Sequence, residues 1–137
     1  MNRYYLRELT HIRLKDARML LRSENYEGAY YLCGYVVECG LKACIAKQTK
    51  RYDFPDKKIV NESYTHDLTK LVKVAGLDLA LDQEIRCNLD FERNWAVVKD
   101  WTQGSRYEKH TKKEAQDLYS AIVNRKYGVL RWIKQYW

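Results

Sequence analysis

Between Tyr26 and Lys47 the chain is apolar nearly all the way round a helix. Ala29, Leu32, Cys33, Val36, Gly40, Ala43 and Cys44 recur at helical spacing on one face, and Val37, Leu41 and Ile45 widen it. A helix coated this fully cannot rest on a surface, so the remaining segments must wrap around it. Its polar remainder is narrow: Tyr31, Tyr35, Glu38 and Lys42, spaced four, three and four, so they line up along one side. Gly34 and Gly40 lower helix propensity, and the expected return is close approach of a neighbouring helix.

The flanking segments supply the wrapping. From about Asn2 to Ser23, Tyr5, Leu6, Leu9, Ile12, Ala17, Leu20 and Leu21 form one broad face, with Arg7, Glu8, Arg13, Lys15, Asp16 and Arg18 on the rest. A short helix is expected over HDLTKLVKVAG, with Leu68, Leu71, Val72 and Ala75 inward and Gly76 as its stop. A longer one is expected from about Asp82 to Trp101, its stripe flanked by Leu81, Ile85, Leu89 and Ala96 on one side and Phe91, Trp95 and Val98 on the other. Thr111 and Glu114 form a capping-box pattern, so the last helix starts there, with Gly128 as a kink or an early end. It should bury Ala115, Leu118, Tyr119, Ile122, Val129, Ile133 and Tyr136. The sum is one all-α domain over 1–137, an up-and-down bundle of four long helices and one short one. A length of 137 residues leaves no room for a second core, and one proline with six glycines argues against a turn-rich β fold.

No stretch approaches the roughly 20 apolar residues of a membrane helix. The opening MNRYYLRELTHIR lacks a signal peptide's apolar block, so a cytoplasmic protein is expected. Cys33, Cys39, Cys44 and Cys87 have neither a Cys-x-x-Cys pair nor a nearby His, so they read as buried free thiols and no metal or other cofactor is expected. Net charge is +7, enough to attract polyanions, and twelve Tyr and four Trp against two Phe suit half-buried surfaces and interfaces. The aperiodic stretch KQTKRYDFPDKKIVNESYTH carries Lys47, Lys50, Arg51, Lys57 and Lys58 with Tyr52, Phe54 and Tyr64 between them. It reads either as a basic, aromatic arm for a polyanion or as a solvated loop whose aromatics pin it to the bundle.

Phosphate-loop, Ser/His/Asp and His-Glu-x-x-His patterns are all missing from the sequence. His11 reads as a surface residue, and His66 beside Asp67 as part of a helix cap. The third histidine lies in a richer setting: Arg106, Tyr107, Glu108, Lys109 and His110 enter the last helix beside Lys112 and Lys113. An Arg grips phosphate through paired hydrogen bonds, and a His moves protons near neutral pH. Attack of a 2′-hydroxyl on its own phosphodiester needs those two services. Equally, Arg106 could pair with Glu38 or Glu92, leaving His110 as a solvated loop residue.

Taken together, DARMLLRSENYEGAYYLCGYVVECGLKACI, YTHDLTKLVKVAGL, NWAVVKDW and SRYEKHTKKEAQDLYSAIV resemble, in order and spacing, the HEPN family of higher eukaryotes and prokaryotes nucleotide-binding domains. The resemblance implies a helical bundle that dimerises, is often encoded beside a small nucleotidyltransferase as a toxin–antitoxin or defence pair, and binds nucleotide or RNA. Many such proteins are metal-independent endoribonucleases carrying an Arg followed, after about four to six residues, by a His. Here Arg106 and His110 correspond to that pair with three residues between them, one short of the pattern, and Glu38 corresponds to a supporting polar residue on the second helix.

Three functions follow. The first is a homodimer that binds a nucleotide, an RNA or a nucleotidyltransferase antitoxin through Arg106, Tyr107, Lys109, Lys112 and Lys113, without proton transfer. The second is an endoribonuclease toxin in which Arg106 holds the phosphate and His110 is the acid–base. The third is a non-catalytic structural interaction protein presenting its Trp and Tyr surface.

Overall fold

The structure, a computed structural model, describes residues 2–49 and 53–137. Its described residues form eight α-helices and one 3-10 turn, with no strand. Helices α1 (Arg3–Arg22) and α2 (Tyr26–Lys47) make an antiparallel hairpin, the most extensive helix pairing in the molecule. Asn2 starts α1 by accepting a hydrogen bond from the Tyr5 amide at 2.8 Å. The hairpin turn uses Glu24 in the left-handed region, at φ 61°.

The apolar coat of α2 is consumed inside the chain. The helix touches α1, α4 (Leu68–Val74), α7 (Lys112–Val123), α8 (Val129–Lys134) and the 3-10 turn (Gln103–Tyr107). Val36, Val37, Leu41 and Ala43 are fully buried. Burying side chains of this size stabilises the fold by about 1.5–3 kcal/mol for each of the larger ones. Gly34 and Gly40 do admit neighbours: Trp101 lies flat on Gly34, and Ile133 meets Gly40. A Cβ on Gly34 would stand 1.8 Å from the Trp101 indole, so no other residue fits there.

The wrapping helices differ from the expected five in three places. The predicted helix over Asp82–Trp101 is two, α5 (Asp78–Cys87) and α6 (Leu89–Lys99). Asn88 breaks it: its backbone is extended, and its side chain accepts from the Phe91 amide at 3.1 Å. Asn gains more as a cap than in a helix interior. The last helix likewise ends at Val123, where Asn124 accepts from the Lys126 and Tyr127 amides and turns the chain into α8, which begins after Gly128. And the aperiodic basic stretch contains a six-residue helix, α3 (Lys57–Glu62), capped by Asp56.

The described aromatics of that stretch do not pin it. Phe54 is 98% exposed and Tyr64 is also exposed, while half-buried Ile59 packs against the core. Lys50, Arg51 and Tyr52 lie outside the described residues. On α1 only Leu6, Thr10 and Ala17 of the helix are buried; Tyr5 and Ile12, expected inward, are exposed. The thiols of Cys33, Cys39 and Cys44 are buried, with desolvation pushing them up to about 12, 11 and 11. Cys87, at the α5–α6 break, is exposed instead. Gly76 follows the end of α4 in the left-handed region, at φ 72°, the stop that its position predicts.

Substituting Gly34→Ala should cost about 2 kcal/mol or more, because the indole of Trp101 cannot yield in a packed core. Urea unfolding of the variant checks this; wild-type stability would show that Trp101 moves freely.

Candidate functional site

The polar stripe of α2 faces two later segments, and their side chains meet on it. Glu38 is 4% exposed. Its carboxylate accepts from Lys42 Nζ at 2.9 Å, the expected i, i+4 pair. It also receives a group that the sequence reading did not connect to it: His66 Nδ1 lies 2.9 Å from Oε1 and 3.0 Å from Oε2. His66 is not a helix cap. Asp67 caps α4 alone, accepting from the Lys70 amide at 3.1 Å. A buried carboxylate needs partners for its lone pairs, and Lys42 and His66 supply them. The His66 side chain stays 38% exposed, so its other ring nitrogen is not enclosed.

One turn earlier on α2, the Tyr31 and Tyr35 hydroxyls are 3.1 Å apart. Tyr35 lies edge-on to His66, with ring centroids at 6.1 Å, and edge-on to Trp101 at 5.4 Å. Gln103 Nε2 donates to the Tyr35 hydroxyl at 3.5 Å. Burial, with the Tyr31 hydrogen bond next, pushes the Tyr35 hydroxyl up to about 12, so it stays neutral and can donate. The 3-10 turn that carries Gln103 also carries Arg106. Arg106 is exposed, its guanidinium beside Tyr31 and 4.8 Å from the centre of the Tyr107 ring. Those contacts raise its already high pKa. Neither Glu38 nor Glu92 pairs with it; among the described residues no carboxylate lies within 4.0 Å of its guanidinium.

His110 stands elsewhere. Its side chain is 6% exposed, not solvated, and stacks on Tyr30 with centroids 3.7 Å apart and planes at 13°. Its Nδ1 contacts Glu114 Oε2 at 2.8 Å, and this hydrogen bond holds the Glu114 carboxyl below its usual range. Its Nε2 is buried without a hydrogen-bond partner, 3.8 Å from Glu108. Tyr30 and Tyr31 are successive on α2 and therefore point about 100° apart. Arg106 lies beside Tyr31 and His110 stacks on Tyr30, and no hydrogen bond joins the two. Lys109, Lys112 and Lys113 are exposed along the entry to α7, with Lys113 paired to Asp117 at 2.6 Å. The capping box forms as expected, Thr111 accepting from the Glu114 amide at 3.2 Å.

The arrangement has a cation at one end, a carboxylate-held imidazole at the other, and two linked tyrosines between. The stripe on α2 was visible in the residue spacing. The arrivals of His66 and Gln103 were not, since neither spacing nor composition ties residue 66 or 103 to residue 38 or 35. No group of described residues has the arrangement of a metal site. Replacing Glu38 by Ala should lower stability by about 1–2 kcal/mol, because Lys42 and His66 both lose their acceptor. Chemical denaturation checks this, and an unchanged midpoint would show the contacts to be idle.

No helix among the described residues is long and apolar enough to cross a membrane. No curated protein and no solved structure matches the chain. The HEPN domain family model matches residues 6–136, nearly its whole length. That match covers the α1–α2 hairpin, the α4 segment that brings in His66, and the turn that brings in Arg106, and it assigns the function broadly to nucleotides or RNA. The all-helical chain belongs to the HEPN domain family.

Proposed function

We propose that this protein binds phosphate-bearing nucleotides or RNA on the face formed by Tyr31, Tyr35, Gln103, Arg106 and Tyr107. The observation that carries the reading is Arg106: an exposed guanidinium, beside Tyr31 and over the Tyr107 ring, and free of carboxylates among the described residues. An Arg in that state keeps its paired N–H donors for a phosphate. Exposed Tyr107 offers a ring for a base to stack on. Lys109 and Lys112 extend the positive field, and the net charge of +7 attracts polyanions from a distance. The same charge favours an acidic partner surface, which supports a nucleotidyltransferase antitoxin as a protein occupant of this face.

An endoribonuclease built on Arg106 and His110 would use an imidazole that stacks on Tyr30 and contacts Glu114 at 2.8 Å. A homodimer finds support on α1 and not on α2, whose apolar coat is used internally. Tyr5, Ile12 and Met19 are exposed at seven-residue intervals, which places them on one line of α1.

Fluorescence anisotropy with a labelled single-stranded RNA tests the binding. Arg106→Ala should weaken affinity about tenfold and flatten its salt dependence, while His110→Ala leaves affinity unchanged. Equal affinity of wild type and Arg106→Ala would remove this face from the account. For the dimer, sedimentation should give two copies at micromolar concentration and one for Ile12→Asp; a monomeric wild type defeats it.

A further inference from the structure

We infer that a cleft between α3 and the α1–α2 hairpin is a binding site for a small aliphatic anion of the fatty-acid class. The inference stands apart from the nucleotide reading: Lys42 is the only residue that the cleft shares with the polar stripe of α2.

The cleft exists because α3 stands off from the hairpin. No residue of α3 is buried, and the helix packs chiefly on α4. Between it and the hairpin lies a concave space of about 1100 Å³. Leu6, Ile45 and Ala46 of the hairpin line it on one side, and Ile59 and Val60 of α3 on the other. A packed interior closes such a space, because walls with no atoms opposite forgo their dispersion contacts. Sites for small molecules are built in this way: concave, mostly apolar, with a few charged groups that fix orientation.

The charge around the cleft selects an anion. Arg3, Lys42 and Lys47 line it, and its described lining residues outside Asn2–Lys47 include no carboxylate either. Lys42 is committed to Glu38 at 2.9 Å. Among the described residues, no Asp or Glu side chain pairs with Arg3 or Lys47. Arg3 begins α1 and Lys47 ends α2, so the antiparallel hairpin sets both at one end of the cleft. Arg3 donates from Nη2 to the Trp137 backbone oxygen at 2.6 Å, and its Nε is buried without a partner, so the donors of the guanidinium are not all used. Asp56, beside the cleft residue Pro55, is engaged by the Lys58 and Ile59 amides.

The neutral polar groups favour an alkyl chain over a base. Asn2 Oδ1 accepts from the Tyr5 amide at 2.8 Å, and Ser63 Oγ donates to the Val60 carbonyl at 2.7 Å. Both are spent inside the protein. A base needs partners along its edges, whereas an alkyl chain needs only apolar walls. The carboxylate therefore belongs at Arg3 and Lys47, and the chain between Ile45 and Val60.

Calorimetric titration of the full chain with octanoate, decanoate and dodecanoate, each below its micelle concentration, tests this. Decanoate should saturate one site per chain with a Kd below about 1 mM. Each added methylene should tighten binding about two- to fourfold. Decanol, which has the chain without the charge, should bind at least about tenfold more weakly than decanoate. Val60→Asp sets a carboxylate in one wall, and Lys47→Glu reverses the charge at the cationic end. Each should weaken decanoate at least about tenfold. If Val60→Asp unwinds α3, Lys47→Glu still decides. Absence of saturable binding overturns the inference, as does one affinity for all three chain lengths, decanol binding as tightly as decanoate, or wild-type affinity in Lys47→Glu. A second copy of the chain seated in the cleft would appear in sedimentation as a dimer that Val60→Asp dissociates and decanoate does not, and this also overturns it. None of these readouts involves RNA, so failure here leaves the nucleotide reading untouched, and the reverse.

Discussion

The seat of Trp101 on Gly34 fixes more of this molecule than any other single contact. The indole lies against bare α2 backbone, in a place a methyl group would fill. Trp101 follows α6 and immediately precedes the 3-10 turn. Its position on α2 therefore decides where Gln103 and Arg106 emerge. Because Tyr31 and Tyr35 both pack against the same indole, the aromatic cluster and the cation are set by one docking event. A glycine in mid-helix costs up to about 1 kcal/mol of helix propensity. Here that loss is offset by the burial of a whole tryptophan and the placement of a surface site.

Much of this architecture could be read along the chain. The near-complete apolar coat of Tyr26–Lys47 identified the central helix, and the four-three-four stripe identified the side on which polar groups would gather. The capping residues at Thr111 and the stop at Gly76 also stood where the turn chemistry put them. What stayed hidden depended on competition or on distance. At Asn88 a helical pattern continues across a residue whose side chain does better as a cap, and periodicity cannot weigh the two. His66 seemed explained by its neighbour Asp67, since a local reason was at hand and the contact to Glu38 spans 28 positions. Nor does spacing tell that His110 stacks on Tyr30 while Arg106 lies beside Tyr31, the next residue round α2.

The charges are sorted by depth. Glu38 is buried and has two cationic or hydrogen-donating partners; Glu114 and Asp117 are occupied along α7 by His110 and Lys113. Arg106 keeps hydroxyls as neighbours. With carboxylates engaged nearby and hydroxyls beside the guanidinium, the positive end of the face is not neutralised from within, which is the condition for attracting an anion from solution.

The face also draws its members from three separated stretches: residues 31–42, residue 66, and residues 103–106. A growing chain that has emerged only as far as α4 already holds the stripe and His66, but lacks the cation. Until Trp101 has been made and has docked on Gly34, the turn that carries Arg106 has no fixed place beside the stripe. Assembly of the proposed face thus waits on the segment that follows α6, and a copy lacking that segment would hold the stripe and His66 without the cation.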